Sequence, residues 1–224
     1  MNGLVSGLLS HGFDVPQTFL TAYNPSWYSA IMTSAGFVTT TTLVAFEFTR
    51  DRVPTFGPAT TRRVTVRHVD MAAFEDEIGR IHHFQEEVFA GHPGHVNREH
   101  GQTRELIERL LPALDPDLVL IAEDAEGNTL GVVICVPDVW QQRPSGTSPS
   151  RARLISLGVV NSWRRRGVAK SMGAALTDVL LAKGYDTLEA SWVMGGNRPP
   201  QLLARALGAR VSRRFELYRW EGVG

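Results

Sequence analysis

Three consecutive arginines, Arg164 to Arg166, stand directly before a Gly-x-Ala step in the stretch WRRRGVAKSMG. A glycine lets the backbone come close to a bulky group, and the arginines add positive charge beside it. The whole chain carries 23 Lys and Arg and 23 Asp and Glu, so its formal net charge is zero. The positive charge is local and predicts a local anionic ligand. A nucleic-acid partner is not expected, because it would need an excess of basic residues over a whole face.

The arginines lie between an apolar strand, ARLISLGVV, and a helix whose apolar residues recur at helical spacing. The N-terminus of a helix offers backbone N–H groups and a positive dipole end to an anion. The turn is therefore a candidate cradle for a diphosphate, formed by Arg164, Arg165, Arg166, Gly167, Val168 and Ala169. A solvated arginine face that binds nothing stays an open alternative, because R-x-x-G-x-A alone is a short pattern that lacks the Lys-Ser/Thr of a P-loop.

From Arg62 onward, the hydrophobic pattern predicts the order β-α-α-β-β-β-α-β-α-β. LVLIAED and LGVVICVPD read as a hairpin of buried strands, residues 141–150 as a loop, and ARVSRRFELYRW as a final pair of strands. This order predicts an α/β fold, a mixed sheet with helices on both faces.

The first fifty residues form a separate segment. Two prolines and a glycine interrupt the chain in RDRVPTFGPA, so we divide it into a segment at 1–50, a linker at 51–60 and a main domain at 61–224. The first segment contains one helix, in NPSWYSAIMTSAGF, and one strand, in VTTTTLVAFEF. It has too little apolar surface to fold alone and should dock on the rest of the chain.

Composition narrows the functional classes. The chain has one cysteine, Cys135, which lies in an apolar strand and is expected to be inert core.

No run of residues is apolar enough for a membrane span, and no signal peptide is recognisable, so we expect a cytoplasmic protein without a membrane partner. His92 and His95 have ligand-like spacing but lie on a Pro-Gly loop, so we expect no metal site.

The turn carries a resemblance to a known family. LGVVNSWRRRGVA resembles the coenzyme A signature of the GNAT superfamily, Q/R-x-x-G-x-G/A, with Arg164, Gly167 and Ala169 at the fixed positions. ALDPDLVLIAED, TLEASWVMGGN, NRPP and RRFELYRW are similar to a bacterial GNAT subfamily of two-lobed proteins. Residues 1–50 then resemble the end of its N-terminal lobe. We interpret them as a shortened N-terminus that packs on the second lobe; completion of a sheet is the alternative.

The resemblance implies an N-acyltransferase that moves an acyl group, with acetyl favoured, from acyl-CoA to an amine in a ternary complex. The acceptor is a small molecule or a protein. Main-chain groups of the strand end would bind the pantetheine arm, and a backbone N–H near Val159 would polarise the thioester carbonyl. The residues implied to bind acetyl-CoA are Leu157, Gly158, Val159, Arg164, Arg165, Arg166, Gly167, Val168, Ala169 and Asn197.

The catalytic residues are predicted less directly. Glu189 is our candidate base, and we interpret Glu123 as a solvated strand-end carboxylate or a partner of an arginine. The family often places a tyrosine acid in the last helix, where this chain has Ala204; Tyr218 or a water could replace it, and Ser191 is another candidate. A non-catalytic protein that binds acyl-CoA or serves as a scaffold therefore stays an alternative. A homodimer that pairs through TTLVAFEF also stays open.

Overall fold

The computed structural model describes residues 6–52, 64–92, 95–141 and 150–221, which contain eight β-strands and five α-helices. The strands are β1 Leu8–His11, β2 Phe37–Thr49, β3 Thr65–His68, β4 Val119–Glu123, β5 Thr129–Pro137, β6 Arg151–Val159, β7 Thr187–Met194 and β8 Arg210–Trp220. The helices are α1 Tyr28–Ser34, α2 Phe74–Phe89, α3 His100–Leu110, α4 Val168–Ala182 and α5 Arg198–Ala206. The predicted α/β class is confirmed, and the predicted element order after Arg62 is the observed one.

The chain divides into two compact units. The first contains the described part of Pro54–Pro137 together with Leu154–Tyr185. Its strands follow the order β3-β4-β5 and then the later part of β6, with antiparallel pairing of β3 with β4 and of β4 with β5. The hairpin predicted from LVLIAED and LGVVICVPD is therefore confirmed.

The second unit contains the described parts of Gly3–Val53, Asp138–Arg153 and Asp186–Gly224. Its strands follow the order β1-β8-β2-β7, and all three pairs are antiparallel. Strand β2 lies between two strands from the other end of the sequence: Glu47 pairs with Glu189 of β7, and Leu43 pairs with Phe215 of β8. The N-terminal segment thus completes a sheet. The alternative interpretation, completion of a sheet, is therefore the observed one, and the origin of the segment as a shortened N-terminus stays a prediction.

In this second unit, both faces of the strands are covered. On one face, Leu43, Ala45, Trp192 and Phe215 pack with Leu9 of β1. On the other, Val44 and Phe46 pack with Ala204 of α5. This alternation of neighbouring β2 residues is what a strand buried on both faces requires, and it explains the run LVAF in the sequence.

Two further differences from the sequence predictions concern strands. ARVSRRFELYRW forms one strand of eleven residues rather than a pair, because β2 occupies the place beside it that a second strand of a hairpin would take. Strand β1 was not predicted. The predicted loop at 141–150 and linker at 51–60 lie largely outside the described residues, and the domain boundaries stay a prediction. No helix within the described ranges is long and apolar enough to cross a bilayer.

Candidate functional site

The turn after β6 is built on two positive backbone angles. Gly167 has φ of +90° and Arg165 has φ of +60°, a region that residues other than glycine seldom adopt. The Arg164 Nε donates to the carbonyl of Val159 at 3.1 Å and ties the turn to the end of the strand. Helix α4 begins at Val168 with Gly167 at its N-cap. Since the first N–H groups of a helix have no partner within it, this turn offers them to a ligand.

Three arginines give this helix end a positive charge that no carboxylate in the described part of the chain neutralises. Arg164, Arg165 and Arg166 are exposed. Among the described residues, no carboxylate pairs with any of them. The Arg166 guanidinium lies 5.6 Å from the centre of the Trp163 ring, which restrains it by a cation–π contact. Three cations and a helix N-terminus thus converge without a counter-ion from the described chain, as expected for an anion site.

Helix α4 holds the turn in place through its buried face. Val168, Met172, Leu176 and Leu180 are buried at intervals of one helical turn. The fit is close, since a Cβ atom added to Gly131 of β5 would lie 2.7 Å from Met172 Cε. The start of the helix, and with it the turn, is therefore fixed by core packing in the first unit.

The strand end predicted to bind the pantetheine arm lies directly before the turn. Leu157 is exposed, whereas Gly158 and Val159 are buried. Gly158 faces helix α2, where the Phe84 ring and a Val88 methyl lie against it. The predicted main-chain contacts of this strand with acyl-CoA stay predictions.

The predicted base, Glu189, lies in a buried ionic cluster in the second unit. Glu189 and Arg213 are both 0% exposed, and their side chains form an ion pair. The Thr18 hydroxyl donates to Glu189 Oε2 at 2.8 Å, and the Ser191 hydroxyl donates to Oε1 at 2.7 Å. Both carboxylate oxygens therefore already accept hydrogen bonds from the chain.

Arg153 closes this cluster. Its Nε donates to the Ser191 hydroxyl at 2.9 Å, and its Nη1 donates to the carbonyls of Phe19 and Leu20 at 3.0 and 2.6 Å. Burial lowers the pKa of Arg153 to about 10, which leaves it charged near neutral pH. Ser191 is thus held between a cation and Glu189, on the side of the strand where the sequence placed it with Glu189.

Sequence reasoning missed Asp138, which follows β5. Asp138 is buried, and its Oδ1 accepts hydrogen bonds from the backbone N–H groups of Phe19 and Trp140 at 3.0 and 3.2 Å. Within the described ranges, the buried Oδ2 has no hydrogen-bond partner. Burial raises the pKa of this carboxyl group. In the sequence, Asp138 looked like an ordinary strand-end residue, and its hydrogen bond with the distant Phe19 N–H is visible only in the structure.

The candidate acids differ in their surroundings. The Tyr218 hydroxyl donates to Glu216 Oε2 at 2.6 Å, and burial followed by this hydrogen bond raises its pKa. Ala204 packs in the core beside Phe46, so the last helix offers no acid at this position. Asn197 stands at the N-cap of α5, where its N–H donates to the carbonyl of Met194 at 2.9 Å.

The remaining candidates have structural partners. Glu123 accepts from Arg67 Nε at 2.9 Å and from its Nη2 at 2.8 Å, in agreement with our interpretation. His95 Nε2 lies 3.3 Å from Glu86 Oε2. Cys135 is buried, and burial raises the pKa of its thiol. Across the described ranges, no group of three or more His, Cys, Asp or Glu is arranged to hold a metal ion.

Comparison with known proteins identifies the family of the chain. Residues 80–209 match the model of the Acetyltransferase (GNAT) family. A GCN5-related N-acetyltransferase from Sphaerobacter thermophilus has a similar structure, with a TM-score of 0.64 at 19% identity over 88% of this chain and 58% of its own. A tandem GNAT protein from the clavulanic acid biosynthesis pathway gives a TM-score of 0.59 at 13% identity over 91% of this chain and 61% of its own.

A curated relative is the bacterial ceramide synthase of Caulobacter vibrioides, 23% identical over 95% of this chain. The chain spans 62% of that relative's length. Since the two solved structures are only 19% and 13% identical to this chain, their similarity shows the fold alone.

Proposed function

Because the chain belongs to the Acetyltransferase (GNAT) family, we propose that it is an acyl-CoA-dependent N-acyltransferase that acts on an amine in a ternary complex. The observation that carries the proposal is the turn at Gly167, where three exposed arginines that pair with no carboxylate of the described residues meet the N-terminus of α4. This is the arrangement that a diphosphate requires.

In this proposal, the arginine turn binds the diphosphate of acyl-CoA. The main chain of Leu157 to Val159 lies beside the pantetheine arm, and the Val159 N–H stabilises the thioester oxygen as it becomes negative. The amine nitrogen bonds to the carbonyl carbon, the C–S bond breaks, and coenzyme A leaves as a thiolate. A thiol has a pKa of about 8.5, so the thiolate is a tolerable leaving group without an acid at Ala204.

The amine must lose a proton during the reaction. The surroundings of Glu189 help to identify the group that accepts this proton. A base has to reach the proton directly or through one water. Glu189 has both oxygens engaged and is ion-paired with Arg213, which supports a structural role for this carboxylate. We therefore propose that the proton leaves to solvent, with Glu189 as a base kept as a prediction to be tested.

Two finer questions concern the acyl group and the acceptor. Acetyl is our first candidate, from the family to which the chain belongs. The relative named bacterial ceramide synthase favours a second candidate reaction, the N-acylation of a long-chain amino alcohol, because a ceramide is the N-acyl derivative of such an alcohol. The embedded Ala204 and the ion-paired Glu189 favour the other alternative, a protein that binds acyl-CoA without turnover.

Calorimetric titration of coenzyme A and acetyl-CoA into the protein tests the proposal. Arg164→Ala combined with Arg166→Ala should weaken binding by at least about 100-fold, since two charge-assisted contacts of roughly 1.5–3 kcal/mol each together contribute about 3 kcal/mol or more. Arg104→Ala combined with Arg109→Ala removes the same charge from the exposed side of α3 and serves as the matched control.

Equal binding by the wild type and the turn variant would contradict the diphosphate assignment. Release of free thiol in the presence of candidate amines then separates an enzyme from a binding protein. Acetyl-CoA and palmitoyl-CoA should be compared as donors, with short and long-chain amines as acceptors.

A further inference from the structure

Helix α1 exposes a small group of large apolar side chains. Trp27 at its N-cap is 56% exposed, and Tyr28 and Ile31 within the helix are 38% and 51% exposed. The Trp27 and Tyr28 rings lie 4.6 Å apart, and Ile31 stands one helical turn further on, so the three side chains share one side of the helix. We call these three residues the α1 patch.

The helix has little else to stabilise it. No residue of α1 is buried, and its inward side carries the half-buried Ser29 and Met32. A helix of seven residues is too short to be stable in water by itself, and most helices in proteins are stabilised by an apolar face that packs on the core. Here the larger apolar side chains point to solvent, which indicates that a partner covers them.

The segment around the α1 patch carries no charge. From Val15 to Phe46 the sequence contains no Asp, Glu, Lys, Arg or His, although 21% of the whole chain is charged. Tyr23 and Val38, which are also exposed, lie in the same uncharged segment. An acidic or basic partner therefore finds no complementary charge on this segment.

A protein and a lipid bilayer are the two neutral surfaces to compare. A stable protein interface takes about 20–30 residues on each side. Only 13 residues between Tyr23 and Thr40 are exposed, so the uncharged surface is too small for a stable dimer. A bilayer requires fewer residues, because Trp and Tyr place their amphipathic rings one by one at the level of the headgroups. Charged groups would be costly at that depth, and this segment has none.

We propose that the α1 patch binds the surface of a lipid bilayer, with the Trp27 and Tyr28 rings and the Ile31 side chain inserted among the headgroups. The binding is apolar, so a zwitterionic membrane suffices and ionic attraction is not needed. The inference stands independently of the proposed function. Our expectation of a protein without a membrane partner came from the lack of a spanning run, and that criterion does not detect a patch on the surface.

Flotation of the full chain with phosphatidylcholine vesicles tests the proposal. These vesicles carry no net charge, so the exposed arginines beside Gly167 do not contribute to binding. We expect the wild type to bind, with a partition coefficient that does not fall between about 0.1 M and about 1 M NaCl, since salt screens only charges.

The variant Trp27→Gln, Tyr28→Gln, Ile31→Gln removes the α1 patch and introduces residues that favour a helix. Its partition coefficient should fall at least about tenfold, because burial of even one large apolar side chain contributes about a factor of ten. Trp27→Gln alone is the milder variant, with a smaller loss, and circular dichroism shows that each variant is folded. Leu202→Gln with Leu203→Gln is the matched control, since these side chains are similarly exposed on α5, and it should bind like the wild type.

A folded wild type that does not bind phosphatidylcholine vesicles would overturn the proposal. So would a control variant that loses as much binding as the patch variant, or binding that requires anionic lipid and disappears at high salt. Sedimentation equilibrium covers the remaining occupant. A dimer that the patch variant converts to a monomer would assign the α1 patch to a second copy of the chain, and the lipid proposal would be wrong.

Discussion

At the scale of single residues, the ion pair between Glu189 and Arg213 gives the sharpest prediction. Glu189→Gln leaves the Arg213 guanidinium buried without a counter-charge. Breaking a buried pair from one side costs about 3–5 kcal/mol, so the free energy of unfolding in urea should fall by that amount. Turnover should fall with it, as a consequence of lost stability.

A double variant separates this structural role from proton transfer. Glu189→Gln with Arg213→Met removes both charges at similar volume, which for buried pairs is often close to neutral. We expect the double variant to regain most of the lost stability and also the activity. A stable double variant that binds acyl-CoA and stays inactive would support Glu189 as the base and contradict the structural assignment.

The sequence predicted part of this cluster and could not predict the rest. Strand alternation placed Glu189 and Ser191 on one side, and the hydrogen bond between them agrees with that placement. Thr18, which binds the same carboxylate, stands 171 positions away in the sequence. No local pattern reveals such a partner, so Glu189 looked like a strand carboxylate free for chemistry. Asp138 was missed for the same reason.

At the scale of elements, the turn before α4 depends on Gly167. A residue with a side chain pays about 1–2 kcal/mol in the left-handed conformation that Gly167 adopts, with φ of +90°. Gly167→Ala should lower the free energy of unfolding by this amount and weaken coenzyme A binding, because the backbone at the N-terminus of α4 must shift.

The matched control for this variant is Gly101→Ala. Gly101 lies in α3, where an added Cβ atom meets nothing within 4 Å. Alanine favours a helix over glycine, so this change should leave stability equal or raise it by up to about 1 kcal/mol. Unfolding midpoints give the stability of both variants, and calorimetric titrations give their affinity for coenzyme A. A Gly167→Ala protein that binds coenzyme A like the wild type would show that the turn does not bind the ligand.

Elements with a strong period were predicted well. The α4 helix repeats buried residues every turn, and β4 and β5 are short apolar runs on either side of EGNT, so periodicity and turn chemistry identify them. Strand β8 was misjudged because ARVSRRFELYRW reads equally as one long strand or two short ones. Its true length follows from β2, which pairs with it over Phe37 to Glu47 and comes from the other end of the chain.

At the scale of the whole molecule, the fold needs its first fifty residues. The family match covers residues 80–209, yet β2 at Phe37–Thr49 lies outside that span and stands between β7 and β8. Leu43, Ala45 and Phe46 of β2 are at most 2% exposed. Their burial alone contributes on the order of 5 kcal/mol, which is comparable with the whole stability of many domains.

A chain that starts at residue 64 should therefore fail to fold. Without β2, the strands β7 and β8 lose their shared partner, and their buried faces meet water. Co-expression of residues 1–52 with residues 64–224 should restore a soluble complex that binds coenzyme A, because the pairing of β2 does not depend on a covalent connection. The measurement is co-purification through a tag on the short piece, followed by circular dichroism and titration.

Phe46→Ala in the short piece is the control, since it keeps the strand but removes a fully buried ring at a cost of about 3–5 kcal/mol. We expect it to prevent reconstitution. A folded and coenzyme A-binding 64–224 fragment without any partner would contradict the assignment of β2 as an integral strand. It would also mean that the N-terminal segment packs on the sheet without being required for folding.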